Sequence, residues 1–270
     1  MKMIGAIAGD IIGSRFEWIN YKGKDFELFT DHCDFTDDSV MSLAVCHALL
    51  HSEADFSDLR KQARYSMQRI GQNYPYCGYG ERFSTWMFEI CPLPYNSFGN
   101  GAAMRVSGCG YAASSLDEVK RLSKAVTEVS HNHPEGLKGA EATAVAVFLA
   151  RTGHSKDEIQ EHIRQHYYPI DFTLDQIRPD YRFDVTCQGS VPQALEAFFE
   201  STDYEDAIRN AISIGGDSDT IGAITGGIAG AYYGVPESIR KKAISYLDKT
   251  LIGILEEFEE RYTIRSNESV

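Results

Sequence analysis

The sequence predicts an all-α fold, a single compact orthogonal multi-helix domain, and three observations predict it. Apolar residues recur at helical spacing along most of the chain, alternating strand-like runs are few and short, and two segments carry glycine every four residues. Glycine inside a helix costs roughly 1 kcal/mol relative to alanine, so a repeated glycine face makes sense where a second backbone must approach closely.

Taken in order, the first helix carries Gly5, Gly9 and Gly13 on one stripe, with Glu17 at its end and Asp10 seven residues earlier on nearly the same face. A helix then follows Thr36-Asp37-Asp38-Ser39, with Val40, Leu43, Ala44, Cys46, Ala48 and Leu49 at helical spacing. Asn96 to Arg105 is a Gly/Asn-rich turn entering a helix of small residues. Leu116, Val119, Leu122, Ala125, Val126 and Val129 mark another helix, and Ala140 to Ala150 has the length of a buried one. Pro192 to Phe199 opens a further helix, with proline near its first turn. After Gly215-Gly216-Asp217-Ser218-Asp219-Thr220 comes the second stripe, Gly222, Gly226, Gly230 and Gly234. From Pro236 to Arg261 the chain is amphipathic, with Ile239, Ala243, Ile244, Leu247, Leu251 and Leu255 on one face. The two stripes are expected to pack together at the centre and so carry both acidic clusters into one cavity. Trp18 to Phe35 and His166 to Cys187 break the pattern and read as long loops near its mouth.

Of 270 residues, 43% are hydrophobic, enough for one sizeable core, and no Pro/Ser-rich linker or charge block divides the chain. One domain is expected over residues 1–265, with 266–270 as a frayed tail. A formal net charge of −13 argues against general nucleic-acid binding, because phosphate contact needs a basic surface. The six cysteines show no C-x-x-C pairing, which suits buried, reduced thiols in a cytoplasmic chain. The longest apolar run, Ile221 to Val235, is too short to span a bilayer, and no signal-peptide core develops before Asp10.

The chemistry sits in the acidic clusters. Asp217 and Asp37 or Asp38 also suit helix caps, yet Thr36, Asp37, Asp38, Asp219 and Thr220 together offer more oxygen ligands than capping requires. Several carboxylates cannot share a cavity as anions without cations. Oxygen donors with no histidine or cysteine among them favour Mg²⁺ or Mn²⁺ over zinc. Glu17 is the carboxylate placed to deprotonate a water or assist a leaving group, and Asp10 suits orienting the groups that hold the metal. The turn Ser97-Phe98-Gly99-Asn100-Gly101 suits a phosphate, with Phe98 available to stack on a base. His131 and His133 lack further soft ligands and read as hydrogen-bonding or capping residues.

The ordered set of Gly9-Asp10, Gly13 and Glu17, then Thr36-Asp37-Asp38-Ser39, Gly99 to Arg105, Ser130-His131 and Gly215 to Thr220 resembles the ADP-ribosylglycohydrolase family over nearly the whole length. That resemblance implies an all-α protein with two Mg²⁺ or Mn²⁺ ions in a cleft, hydrolysing the bond between C1″ of ADP-ribose and an acceptor side chain. It implies Thr36, Asp37, Asp38, Asp217, Asp219 and Thr220 as metal ligands and Glu17 as the catalytic carboxylate. Ser97, Phe98, Gly99, Asn100, Gly101, Met104 and His131 would hold the substrate. The family usually has threonine before that histidine and often threonine where Ser39 stands. The expected partner is an ADP-ribosylated protein or peptide, with arginine, serine, a nucleic-acid end and a small molecule all open as acceptor, and a monomer is expected. Two rivals are a non-catalytic ADP-ribose-binding relative and a two-metal phosphate-ester hydrolase. The absence of His-rich ligand sets weighs against the latter.

Overall fold

In the computed structural model, which describes residues 3–263, helices follow one another with no strand among the described residues beyond an isolated bridge between Gly99 and Thr186. The helices are α1 (Ile4–Ser14), α2 (Asp37–Leu50), α3 (Leu59–Gly71), α4 (Glu81–Phe88), α5 (Gly101–Met104), α6 (Ser107–Ala112), α7 (Leu116–Thr127) and α8 (Pro134–Arg151). They continue as α9 (Lys156–His166), α10 (Leu174–Ile177), α11 (Cys187–Phe199), α12 (Tyr204–Ser213), α13 (Ser218–Tyr233), α14 (Glu237–Ile244) and α15 (Lys249–Thr263). All-helical architecture is thus as expected, and the described helices share one core. The expected tail, 266–270, lies outside the described residues.

The centre of that core is the pairing of α1 with α13. Their glycine faces oppose one another so closely that a Cβ on Gly9 would lie 2.5 Å from the Gly222 carbonyl carbon, and one on Gly222 would lie 2.5 Å from the Gly9 carbonyl oxygen. The same holds one turn along between Gly5 and Gly226. Gly13 abuts the backbone of Ser218 and Asp219, so the pairing runs directly into the second acidic cluster. Gly234 departs from the expected stripe: it follows the last residue of α13 at φ +80° with nothing facing it, because it terminates the helix rather than packing it. Around this pair, α12, α11 and α8 pack on α13, while α2 lies against α1 and links to α3 and α15.

Three boundaries differ from expectation. Helix α11 starts at Cys187, five residues before Pro192, because the Thr186 side chain caps it by accepting from Gly189 N at 3.1 Å. The proline therefore sits inside the second turn and forgoes one bond. The C-terminal amphipathic stretch is two helices, since Asp248 accepts from the N–H groups of Thr250 (2.9 Å) and Leu251 (3.0 Å) and starts α15 afresh. Glu17 lies beyond α1, in the turn that follows Ser14. The loop expected from His166 to Cys187 contains the single turn α10. Cysteine burial holds for Cys33, Cys46, Cys109 and Cys187, whereas Cys77 is half-buried and Cys91 exposed. No helix among the described residues is long and apolar enough to cross a membrane.

Candidate metal centre and active-site cleft

Both acidic clusters are delivered to one place by local geometry. Thr36 caps α2, its Oγ1 accepting from Asp38 N at 3.3 Å, so Asp37 and Asp38 occupy the first turn with their carboxyls free of capping duty. Before α13 the chain turns through Gly215 (φ +68°) and Gly216 (φ +77°), a left-handed pair that a side chain would strain. The Asn20 side chain occupies the space beside Gly215 and accepts from Gly216 N at 3.1 Å, tying the turn to the segment that carries Glu17. Asp217 begins α13 without using its carboxyl as a cap; that group accepts instead from Asn100 Nδ2 at 2.7 Å.

The result is a compact acidic group assembled from distant parts of the chain. Oxygens of Asp10, Asp38 and Asp219 lie within 4.8 Å of one another, as do those of Glu17, Asp217 and Asp219. Thr220 Oγ1 bridges the two helix starts by donating to Asp38 Oδ2 at 3.2 Å. Asp10 is nonetheless unlike the others, because it is already saturated with donors. It accepts from Thr36 N (3.0 Å), Thr36 Oγ1 (2.7 Å), Ser39 N (3.0 Å) and the Ser39 hydroxyl, and so pins the cap of α2.

Burial pushes these carboxyls up, and repulsion from neighbouring carboxylates adds to it at Asp37, Asp38, Asp217 and Asp219, while at Asp10 the hydrogen bonds from Ser39 and Thr36 hold part of the rise back. Asp10 and Asp217 are raised to about 6, and Asp37, Asp38 and Asp219 stand well above the usual carboxylate range. Burial, then the Asp219 and Asp10 charges, push Glu17 up to about 8. Asp38 Oδ1 is buried with no hydrogen-bond partner. A buried, orphaned carboxylate oxygen facing further carboxylates, with threonine hydroxyls alongside and no nitrogen or sulfur ligand, suits a hard divalent cation.

Glu17, Asp37, Asp38, Asp217, Asp219 and Thr220 line a cavity of about 640 Å³. Its other walls include Ser97, Gly99, Asn100, Gly101, Met104 and His131, which the sequence had singled out, together with Trp18, Tyr79, Arg82, Phe83, Tyr95, Arg105, Phe183 and Val185, which it had not named as site residues. Phe98 is not part of that wall, its ring lying 5.1 Å from His133. The Gly/Asn turn is held open by pairing with the chain before α11: Asn100 N donates to Val185 O at 2.8 Å and Cys187 N to Phe98 O at 2.9 Å. Ser97 Oγ accepts from Gly99 N at 3.1 Å. Of the two histidines first considered, His133 caps α8 by accepting from Glu135 N at 3.1 Å, and only His131 faces the cavity. At the mouth, Trp18 from one long loop stacks on Phe183 from the other, ring centroids 5.0 Å apart.

The segment around Tyr79 is set in the wall by Asp37 N, which donates to Cys77 O at 2.7 Å. A Gly-Tyr-Gly triplet was the only sequence signal for it.

With this geometry in view, the profile of the ADP-ribosylglycohydrolase family matches residues 2–267. The chain belongs to the ADP-ribosylglycohydrolase family. Among curated relatives it is similar to ADP-ribosylhydrolase ARH3 of Homo sapiens, 25% identical across 93% of this chain and 90% of that one. Over 54% of this chain and 43% of the other it is 28% identical to ADP-ribosylarginine hydrolase Tri1 of Pseudomonas putida. A solved structure described as an ADP-ribosylglycohydrolase-related protein complex shares the fold with a TM-score of 0.71, at 22% identity, covering 96% of this chain and 95% of that one.

Proposed function

We propose that this member of the family is a metal-dependent hydrolase that removes ADP-ribose from a modified protein side chain by cleaving the C1″ glycosidic bond. The observation that carries the reading is a single cavity lined both by the acidic cluster, with its orphaned Asp38 oxygen, and by Ser97, Gly99, Gly101 and His131. Its volume falls within the range of about 300–1,000 Å³ typical of sites for small ligands.

Thr36, Asp37, Asp38, Asp217, Asp219 and Thr220 would hold two Mg²⁺ or Mn²⁺ ions, which supply charge to orient the ribose hydroxyls and polarise the reacting oxygens. Asp10 holds Thr36 and Ser39 in register, and Asn100 holds Asp217. Glu17, at the cavity wall beside the acidic group, takes a proton from the attacking water or returns one to the leaving group as oxocarbenium character builds at C1″. Trp18 and Phe183 line the mouth on the same side as Glu17, where an acceptor side chain enters.

Arginine- and serine-linked ADP-ribosylated peptides, incubated with the protein and Mg²⁺ or Mn²⁺, should release ADP-ribose, and one linkage should dominate. Release that persists undiminished in excess EDTA would remove the metal from the mechanism, and no release from either linkage would remove the activity.

Cation binding also has a thermal signature. Carboxyls whose folded pKa lies above the unfolded value bind more protons folded than unfolded, so the metal-free protein loses stability as pH rises from about 4 through about 6. A cation offsets that repulsion most where the carboxyls are ionised. At about a hundredfold excess over Kd, one bound ion adds about 2.7 kcal/mol, or roughly 5–10 °C in melting temperature for a domain of this size. Differential scanning fluorimetry should show the shift at about pH 8 and a much smaller one at about pH 5. An equal shift at both values would mean that the cation does not bind these carboxylates.

A further inference from the structure

In the cavity wall, the Arg105 guanidinium is buried, 1% exposed, and no carboxylate among the described residues lies within ion-pair distance of it. A buried cation without a counter-charge is costly, so its partners deserve an account. It lies over the Phe83 ring, 5.4 Å from the centroid, and its Nη2 reaches Ser130 Oγ at 2.8 Å and His131 Nδ1 at 3.2 Å. Ser130 Oγ is itself 2.8 Å from His131 Nδ1.

These three contacts decide where the imidazole proton sits. A guanidinium only donates, so His131 Nδ1 must accept from it and carries no proton of its own. Were Nδ1 protonated, two N–H groups would point at each other across 3.2 Å. The Ser130 hydroxyl, accepting from Nη2, is free to send its own proton to the same Nδ1. A neutral ring then bears its hydrogen on Nε2, and Nε2 lies at the glycine wall of the cavity: a Cβ on Gly99 or Gly101 would be 3.6 or 3.5 Å from it. Burial, with the Arg105 charge beside it, holds His131 well below the usual histidine value, which agrees with a neutral ring.

We propose that Arg105 is a positioning residue that locks His131 into the tautomer with hydrogen on Nε2, making it a fixed donor to an anionic oxygen of the ligand. On the reading given under Proposed function, that oxygen belongs to the diphosphate of ADP-ribose. The lock makes the donor permanent: an exposed histidine exchanges tautomers, whereas here the wrong one is excluded by an N–H that cannot turn into an acceptor. The guanidinium, which has no ion-pair partner among the described residues, adds a positive field beside His131.

The test uses the full chain labelled with ¹⁵N-histidine, read by long-range ¹H–¹⁵N NMR, with ADP-ribose binding measured by calorimetry. Wild-type His131 should show hydrogen on Nε2. In Arg105→Met the ring should populate the other tautomer, and ADP-ribose should bind about tenfold or more weakly, the loss of one charge-supported donor. Peptide turnover should lose through KM rather than kcat, with Arg105→Lys recovering part of the loss. An unchanged tautomer together with ADP-ribose affinity within about twofold of wild type would reduce Arg105 to packing. Should the methionine variant not fold, Ser130→Ala decides: the tautomer should persist because Arg105 still donates to Nδ1, and a switch would assign the lock to Ser130 instead. Because the NMR readout needs no turnover, failure to cleave any ADP-ribosylated peptide overturns the proposed activity and leaves the tautomer result standing.

Discussion

Gly226→Leu should yield no stably folded protein, or one whose melting temperature falls by about 10 °C or more. Helix propensity alone predicts the opposite, because leucine is favoured over glycine inside a helix by about 1 kcal/mol. Packing outweighs it. A Cβ at Gly226 would overlap the Gly5 carbonyl and lie 3.2 Å from both the Gly5 carbonyl carbon and Ile208 Cδ1. Overpacking a core costs roughly 1–3 kcal/mol when side chains can yield. Here the opposing atoms are the backbone of α1, which has no rotamer to change, so the two central helices must separate. Separation would also pull Gly13 from Ser218 and Asp219 and open the acidic cluster. Gly253→Ala in α15 is the matched control: nothing lies within 4 Å of a Cβ there, so propensity acts alone and the protein should hold or gain stability. Circular dichroism melts of the two variants decide it, and a Gly226→Leu protein melting with the wild type would mean that the stripes do not pack as described.

That glycine pattern explains why so much of the fold was readable. A stripe spaced every four residues has one physical use, close approach of backbones, and two such stripes need each other. Their pairing fixes α1 and α13, and with them the relation of Asp10 to Asp219. The acidic clusters were equally legible, because Thr36 and the Gly215-Gly216 turn announce helix starts through local chemistry. The misplaced boundaries involved interactions at the edge of local pattern. Pro192 looked like a first-turn residue until Thr186 supplied a cap further upstream, and Asp248 divides an apolar face whose periodicity runs on across the break. The cavity walls were least legible. Tyr79, Tyr95 and Phe183 come from segments without periodicity, and their meeting depends on long-range bonds such as Asp37 N to Cys77 O. Asn100 lines the cavity as the Gly/Asn turn suggested, but its amide also donates to Asp217, a partner more than a hundred residues away that spacing cannot reveal.

Glu17→Gln should lower kcat for ADP-ribose release by roughly 10²–10⁴, the usual contribution of a positioned acid or base. The substitution keeps shape and removes both the charge and the ability to carry a proton. Two roles compete for this residue, since its carboxylate lies within 4.8 Å of Asp217 and Asp219 oxygens and is as near as a metal ligand would be. They separate in the metal affinity. If Glu17 moves a proton, the variant should bind Mg²⁺ or Mn²⁺ within a few-fold of wild type, because the threonine and aspartate oxygens remain. A ligand role would instead raise the Kd for metal by about tenfold or more, as losses around a metal site commonly do. The metal-free melting temperature offers a second sign. Without cations, Glu17 is held up to about 8 by burial and by the Asp219 and Asp10 charges, so deleting its charge relieves repulsion. Metal-free Glu17→Gln should therefore melt no lower than metal-free wild type at about pH 8. Full activity in this variant would move the proton transfer to another group, and Asp37, on the same wall of the cavity, would be the next to replace.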